Sequence, residues 1–215
     1  ETDEHIYRAL VNSLPDLKKP GSDLFYALPA LRKQKKEIQK QTSALLPVNH
    51  KIDGYLEIGS TGRYVKSLKK AFDFKGPVFL TNDFQPTYSA SDLMERGRIT
   101  KIGKFFDLDN YAPISQIVSD QSLDLVTCYI GLHHCPLDRL APYLASIYRV
   151  LRPGGHFILR DHDAKTAEMK TFCSLVHTVF NAGFAVSWEE NASEFKSLNS
   201  IDHWINEVCN AGFSV

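Results

Sequence analysis

The sequence is poor in the features that mark unusual protein classes. Cys128, Cys135, Cys173 and Cys209 are its four cysteines, and they form no C-x-x-C or other paired spacing, which argues against a disulfide framework or a cysteine-based zinc fold. A reducing compartment, the cytoplasm, is therefore expected. No apolar run approaches the roughly twenty residues that cross a bilayer, so no membrane partner is expected. No signal-peptide pattern opens the chain, which begins at Glu1 and is expected to be part of a longer one. Charge of one sign is not in excess either: 25 basic residues face 25 acidic ones, which argues against a nucleic-acid binder that works by its overall field. RNA recognition through a local patch stays open. Arg32, Lys33, Lys35, Lys36 and Lys40 make one such patch, but Glu37 and glutamines interleave and no aromatic does, as on a solvated helix face.

What is present is an alternation of short apolar runs with helical periodicity. Tyr55, Leu56, Glu57 and Ile58 read as a buried strand, Gly59, Ser60, Thr61 and Gly62 as a tight turn, and Tyr64, Val65, Leu68 and Phe72 fall at helical spacing. Strand, glycine turn and helix together aim backbone N–H groups at an anion. A second strand, Pro77 to Leu80, leads to Asp83, roughly twenty residues past the turn, where a nucleotide fold places an acid for ribose hydroxyls. Leu123 to Ile130 form a third apolar run, followed by Gly131, Leu132, His133, His134 and Cys135. Leu137, Leu140, Leu144, Ile147, Tyr148 and Leu151 then repeat at three and four positions, and Arg152, Pro153, Gly154 and Gly155 close that helix before the apolar run Phe157 to Leu159. This pattern predicts an α/β fold with a mostly parallel sheet covered by helices on both faces. A length of 215 residues fits one such core.

These motifs, in this order and spacing, resemble the class I S-adenosylmethionine-dependent methyltransferases, in particular those with a Leu-His-His turn after the fourth strand and Leu-Arg-Pro-Gly-Gly before the fifth. The resemblance covers residues 50 to 215 and implies a Rossmann-like, doubly wound domain over 49–215, preceded by a helical extension over 1–48 that is either a lid or plain packing. It implies S-adenosylmethionine as cofactor, held by Glu57, Gly59, Ser60 and Gly62 at its methionine part, by Asp83 at the ribose, by Asp107 and Leu108 at the adenine, and flanked by Ile130 and Gly131. The usual acid-x-Gly-x-Gly-x-Gly turn is one residue shorter here and lacks one glycine. The sixth strand is expected near Asn210 to Val215, and the seventh is expected to be absent. No Asn/Asp-Pro-Pro-Tyr turn occurs, which by the same analogy argues against DNA bases as acceptor.

In open α/β sheets ligands bind at the carboxyl ends of the strands, where two polar clusters fall: His133, His134 and Cys135, and Asp161, His162 and Asp163. His162 is the first choice for a base that takes a proton from an oxygen or nitrogen nucleophile, with Asp161 or Asp163 orienting its ring and His134 in a lesser role. The alternatives are that His133 and His134 shape the turn and that Asp163 caps the following helix. No metal is expected, because the adjacent groups of His-His-Cys point different ways. The methyl acceptor is unidentified, with a small molecule expected over a macromolecule, and oligomeric state is not legible. A non-catalytic methyltransferase-like interaction module and a nicotinamide-dependent dehydrogenase are the alternative functions. Met169, Phe172, Cys173, Val176 and Val179 are read as the core face of a helix over 164–180.

Overall fold

The computed structural model describes residues 2–17, 26–47, 50–97, 99–100 and 102–215. The chain runs α1 (Asp3–Leu17), α2 (Leu28–Leu45), β1 (Lys51–Ile58), α3 (Val65–Ala71), β2 (Asp73–Asn82), α4 (Ala90–Arg96), β3 (Lys104–Asp107), β4 (Leu123–Cys128), α5 (Leu137–Val150), β5 (Leu151–Leu159), α6 (Ala167–Gly183), α7 (Trp188–Ser193) and α8 (Ile201–Asn210). A short 3-10 turn at Leu132–His134 joins β4 to α5. The strands form one sheet in the order β3-β2-β1-β4-β5, and every pairing is parallel.

Because successive side chains on a strand point to opposite faces, neighbouring residues of the central strands feed two separate cores. Leu56 and Ile58 of β1 and Val126 and Cys128 of β4 pack with Leu144 and Ile147 of α5 and Trp204 of α8. Tyr55 and Leu125 face the other way, toward Ile38 of α2 and Leu68 of α3. Both faces of the sheet are thus covered, which is why β1 and β4 read as continuous apolar runs rather than alternating ones.

Several expectations change on contact with the structure. Among the described residues no strand follows β5. The tail beyond α8 instead lays Phe213 against Tyr148 and Phe157, at ring distances of 5.2 and 5.5 Å. The Arg152–Gly155 stretch does not separate helix from strand. It is a bulge inside β5, where pairing with β4 passes from Leu151 to His156 while the partner advances only from Leu123 to Leu125. Arg152 anchors that bulge on Asp124 at 2.7 Å. The apolar stripe of α6 is not a core face: Phe172 is 59% exposed and Val176 46%, and only Cys173 of that set is buried. Helical spacing reports that apolar residues share a side, but not what lies opposite.

The N-terminal helices part company. Helix α2 belongs to the sheet-covering layer through Ile38, and Thr42 shares a 2.7 Å hydroxyl contact with Tyr129 at the end of β4. Helix α1 instead sits on α6 and α7, burying Tyr7, whose hydroxyl donates to the Val186 carbonyl at 2.9 Å. Ile6 is 56% exposed, and α1 continues through Pro15 to Leu17. Pro29 stands in the first turn of α2, as its fixed φ favours. Ser22 and Asp23, which read as a helix start, with Leu24 and Phe25, lie outside the described residues.

Candidate active site

Strand β1 ends by placing Glu57 in the interior with no exposed surface. One carboxylate oxygen accepts the Tyr55 hydroxyl at 3.0 Å; the other accepts the Tyr64 backbone N–H at 3.2 Å and the Ser60 hydroxyl. The Ser60 oxygen accepts in turn from the backbone N–H groups of Gly62 and Arg63, each at 3.0 Å. The shortened turn is thus closed by its own side chains. Gly59 and Gly62 take φ of +77° and +101°, and a Cβ on Gly59 would stand 3.1 Å from the Ile130 carbonyl oxygen. Burial raises the pKa of Glu57 and outweighs the lowering by its hydrogen-bond donors. Glu57 and Ser60, both expected to touch the cofactor, spend these hydrogen bonds on the turn itself.

The register aligns the other strand ends. Asn82 pairs with Asp107, so Asp83 and Asp107 leave adjacent strands at the same edge, both exposed, while Leu108 is buried and donates its N–H to the Asn82 carbonyl at 3.1 Å. Partial desolvation at this edge raises the pKa of Asp83 and outweighs the lowering by His134. After Leu108 come three consecutive non-glycine residues in the left-handed region, Asp109, Asn110 and Tyr111, at φ of 46°, 49° and 60°, an arrangement held only where the surroundings enforce it. Tyr111 enforces it by donating its hydroxyl to the Gly131 carbonyl at 2.5 Å. Gly131 has φ of +144°, and Ile130 beside it is 42% exposed.

Beyond Gly131 the 3-10 turn sets the His133 and His134 rings 4.1 Å apart. His133 is fully buried, and its Nδ1–H donates to Asp161 at 2.7 Å. Asp161 also accepts the backbone N–H of His133 at 3.2 Å and of His162 at 2.7 Å. Burial would raise the Asp161 pKa, but the hydrogen bond and charge of His133 hold it below its ordinary value. The Nε2 of His133 is buried and has no hydrogen-bond partner among the described residues. His134 directs Nδ1 to the Phe195 carbonyl at 3.1 Å, and the His162 and His177 Nε2 atoms lie 3.4 Å apart. Burial first, and the other imidazoles second, lower the pKa of His134 and His162 and bring that of His177 down to about 4. A strap between α7 and α8 ties the cluster down: Ser197 donates its N–H to the His133 carbonyl at 2.7 Å, and Ala164 to the Asn199 carbonyl at 2.9 Å.

The carboxylate expected to orient His162 therefore orients His133, because the chain reverses after β5 with Asp161 facing β4. Asp163 does not cap α6, a role taken by Thr166, which accepts from Met169 at 3.2 Å; it accepts instead from Ile201 at the start of α8, at 2.9 Å. Of the His-His-Cys group, Cys135 turns its thiol to the Pro136 carbonyl and has its pKa pushed up to about 12 by burial. His177 and Tyr111 were not anticipated. His177 follows the buried Cys173 by four positions, hence shares the side that α6 turns inward, and this was the one sequence signal available for it. Tyr111 carries none.

Comparison with known proteins follows the geometry. Residues 56–159 match a family model described as a methyltransferase domain. A search of the curated proteins found no match. Among solved structures, the YcgJ protein of Bacillus subtilis superposes with a TM-score of 0.56 at 16% identity over 85% of this chain and 69% of its own. A putative methyltransferase from Bacillus halodurans gives 0.57 at 19% identity, covering 83% and 68%. An S-adenosylmethionine-dependent methyltransferase from Mesorhizobium loti gives 0.51 at 18% identity, covering 86% and 80%. At these identities the likeness is one of fold.

Proposed function

We propose, for a chain that carries a class I methyltransferase domain over residues 56–159, that it transfers a methyl group from S-adenosylmethionine to an oxygen or nitrogen of a small-molecule acceptor. The observation that carries this reading is the meeting of two unlike structures at one sheet edge: a glycine turn whose Gly59 closes against the Ile130 carbonyl beyond β4, and a group of histidines supported by the Asp161 carboxylate.

The residues fit the cofactor. The positive φ at Gly59, Gly62 and Gly131 leaves the cradle without side-chain bulk, suited to the methionine part. Asp83 is assigned to the ribose hydroxyls, Asp107 and Leu108 to the adenine, and Ile130 to the apolar flank; Glu57 and Ser60 act behind the turn. S-adenosylmethionine supplies an electrophilic methyl on a sulfonium. The chain supplies alignment and a proton acceptor: His162, neutral because burial and His133 lower its pKa, takes the proton of the acceptor O–H or N–H. Asp161 acts through His133 as a positioning residue, and His134 flanks the acceptor. The half-buried cluster, closed by α6 and the strap, favours a small acceptor over a macromolecule. Buried free thiols at Cys128, Cys135 and Cys173 support a reducing compartment, the cytoplasm, and within the extension over 1–48, helix α2 packs on the sheet through Ile38.

Calorimetry with S-adenosylmethionine, its demethylated product and a reduced nicotinamide tests the assignment. The first two should bind and the third should not. Asp83→Ala should weaken cofactor binding by about 1–3 kcal/mol, the cost of leaving hydroxyl partners unpaired. An unchanged affinity removes Asp83 from the site, and no binding of S-adenosylmethionine overturns the reading.

A further inference from the structure

The histidine group holds more than a single general base requires. Four imidazoles converge from three elements: His133 and His134 from the turn after β4, His162 from the end of β5 and His177 from α6. Their ring centroids are 4.1 to 5.5 Å apart. His133, His134 and His177 each present one nitrogen, and these atoms lie within 4.8 Å of one another. Two of the three rings have their other nitrogen already engaged. Asp161 accepts from His133 Nδ1, and the Phe195 carbonyl accepts from His134 Nδ1. In each case Nε2 is left with its lone pair. That of His133 is fully buried and meets no hydrogen-bond partner among the described residues.

We propose that His133, His134 and His177 form a binding site for a divalent transition metal of the zinc type, with Asp161 as the outer carboxylate that fixes His133. The pattern of carboxylate on one ring nitrogen and metal on the other is how proteins set the tautomer and basicity of a histidine ligand. Imidazole donors suit zinc, and three of them leave a fourth position for water or an acceptor heteroatom. A tetrahedral zinc with Zn–N of about 2.0–2.1 Å spaces its nitrogens roughly 3.3 Å apart. The three ligand atoms, within 4.8 Å of one another, need to close by roughly 1.5 Å at most, within the reach of small side-chain rotations.

The site is tested without the methyl donor, so that its failure is separate from failure of the cofactor assignment. Chelator-stripped protein is titrated with Zn²⁺ against a chromogenic competitor, and with Co²⁺ while following the visible bands of tetrahedral cobalt. One equivalent should bind. His177→Ala and His134→Ala should each lower the affinity by about 100-fold or more, and Asp161→Asn by about 10–100-fold. His5→Ala, on the exposed side of α1, should change nothing. Circular dichroism checks each variant; should His177→Ala fail to fold, His134→Ala, whose side chain is 29% exposed, decides alone. Absence of stoichiometric binding by the wild-type protein, or binding that survives loss of His134 in folded protein, overturns the proposal.

Discussion

The glycine turn and the histidine cluster stand at neighbouring strand ends yet are built on opposite plans. The turn draws on ten consecutive positions, Tyr55 to Tyr64, and the polar atoms of Glu57 and Ser60 are answered within it. The cluster draws on residues from 133 to 199, and the buried Nε2 of His133 meets no hydrogen-bond partner among the described residues. Burying an unpaired polar group costs stability. Glu57 makes its hydrogen bonds within the turn itself, whereas His133 keeps one nitrogen open among the other imidazoles.

Four experiments press on that contrast. The largest effect is expected at His162→Ala, which should slow single-turnover methyl transfer by about 10² to 10⁴ while leaving cofactor affinity and the unfolding midpoint close to wild type. Full rate across neutral pH would reduce the cluster to scaffolding. Next comes Glu57→Ala, which strands the Ser60 hydroxyl and the Tyr64 N–H while Tyr55 keeps Thr127, and should lower unfolding free energy in urea by roughly 2–4 kcal/mol; a loss under about 1 kcal/mol would show that the turn closes without its acid. Gly59→Ala should cost about 1–3 kcal/mol, since φ of +77° is strained for alanine and its methyl meets the Ile130 carbonyl. Wild-type stability would show that the turn shifts freely.

The smallest effect is one of pH. The pKa of Glu57 is raised in the folded state, so the native protein binds more protons than the unfolded chain between the ordinary carboxyl value and the raised one. This contribution to stability is present in full below the ordinary value and is lost as pH rises through the raised value. In Glu57→Gln that slope should disappear from thermal melts. An identical slope would assign the proton to another group.

The same contrast explains what could be read from the chain. The alternation of strands and helices and the glycine turn follow from local patterns, because each motif lies within a few residues of a strand end. The partner of Asp161 does not: whether it turns to His133 or His162 depends on how β5 leaves the sheet. His177 lay inside an apolar stripe whose period is real, and Phe172 at 59% exposure shows the limit of reading burial from spacing. The strap residues Phe195 and Ser197 act through backbone groups, which every sequence contains, so no side chain announces them.

Asp161 also bears on the order of assembly. It receives backbone N–H groups from His133 and His162, on either side of the junction between β4 and β5, and those strands meet only through the α5 crossover. Long-range parallel pairing is a slow event in folding. The carboxylate closes its contacts only after that pairing has found its register, so the two histidine backbones are locked together at the end of the process. In a refolding time course, recovery of helical signal should precede the competence of the cluster, and a chain delayed at the β4–β5 step would look largely folded while its chemistry is still unmade.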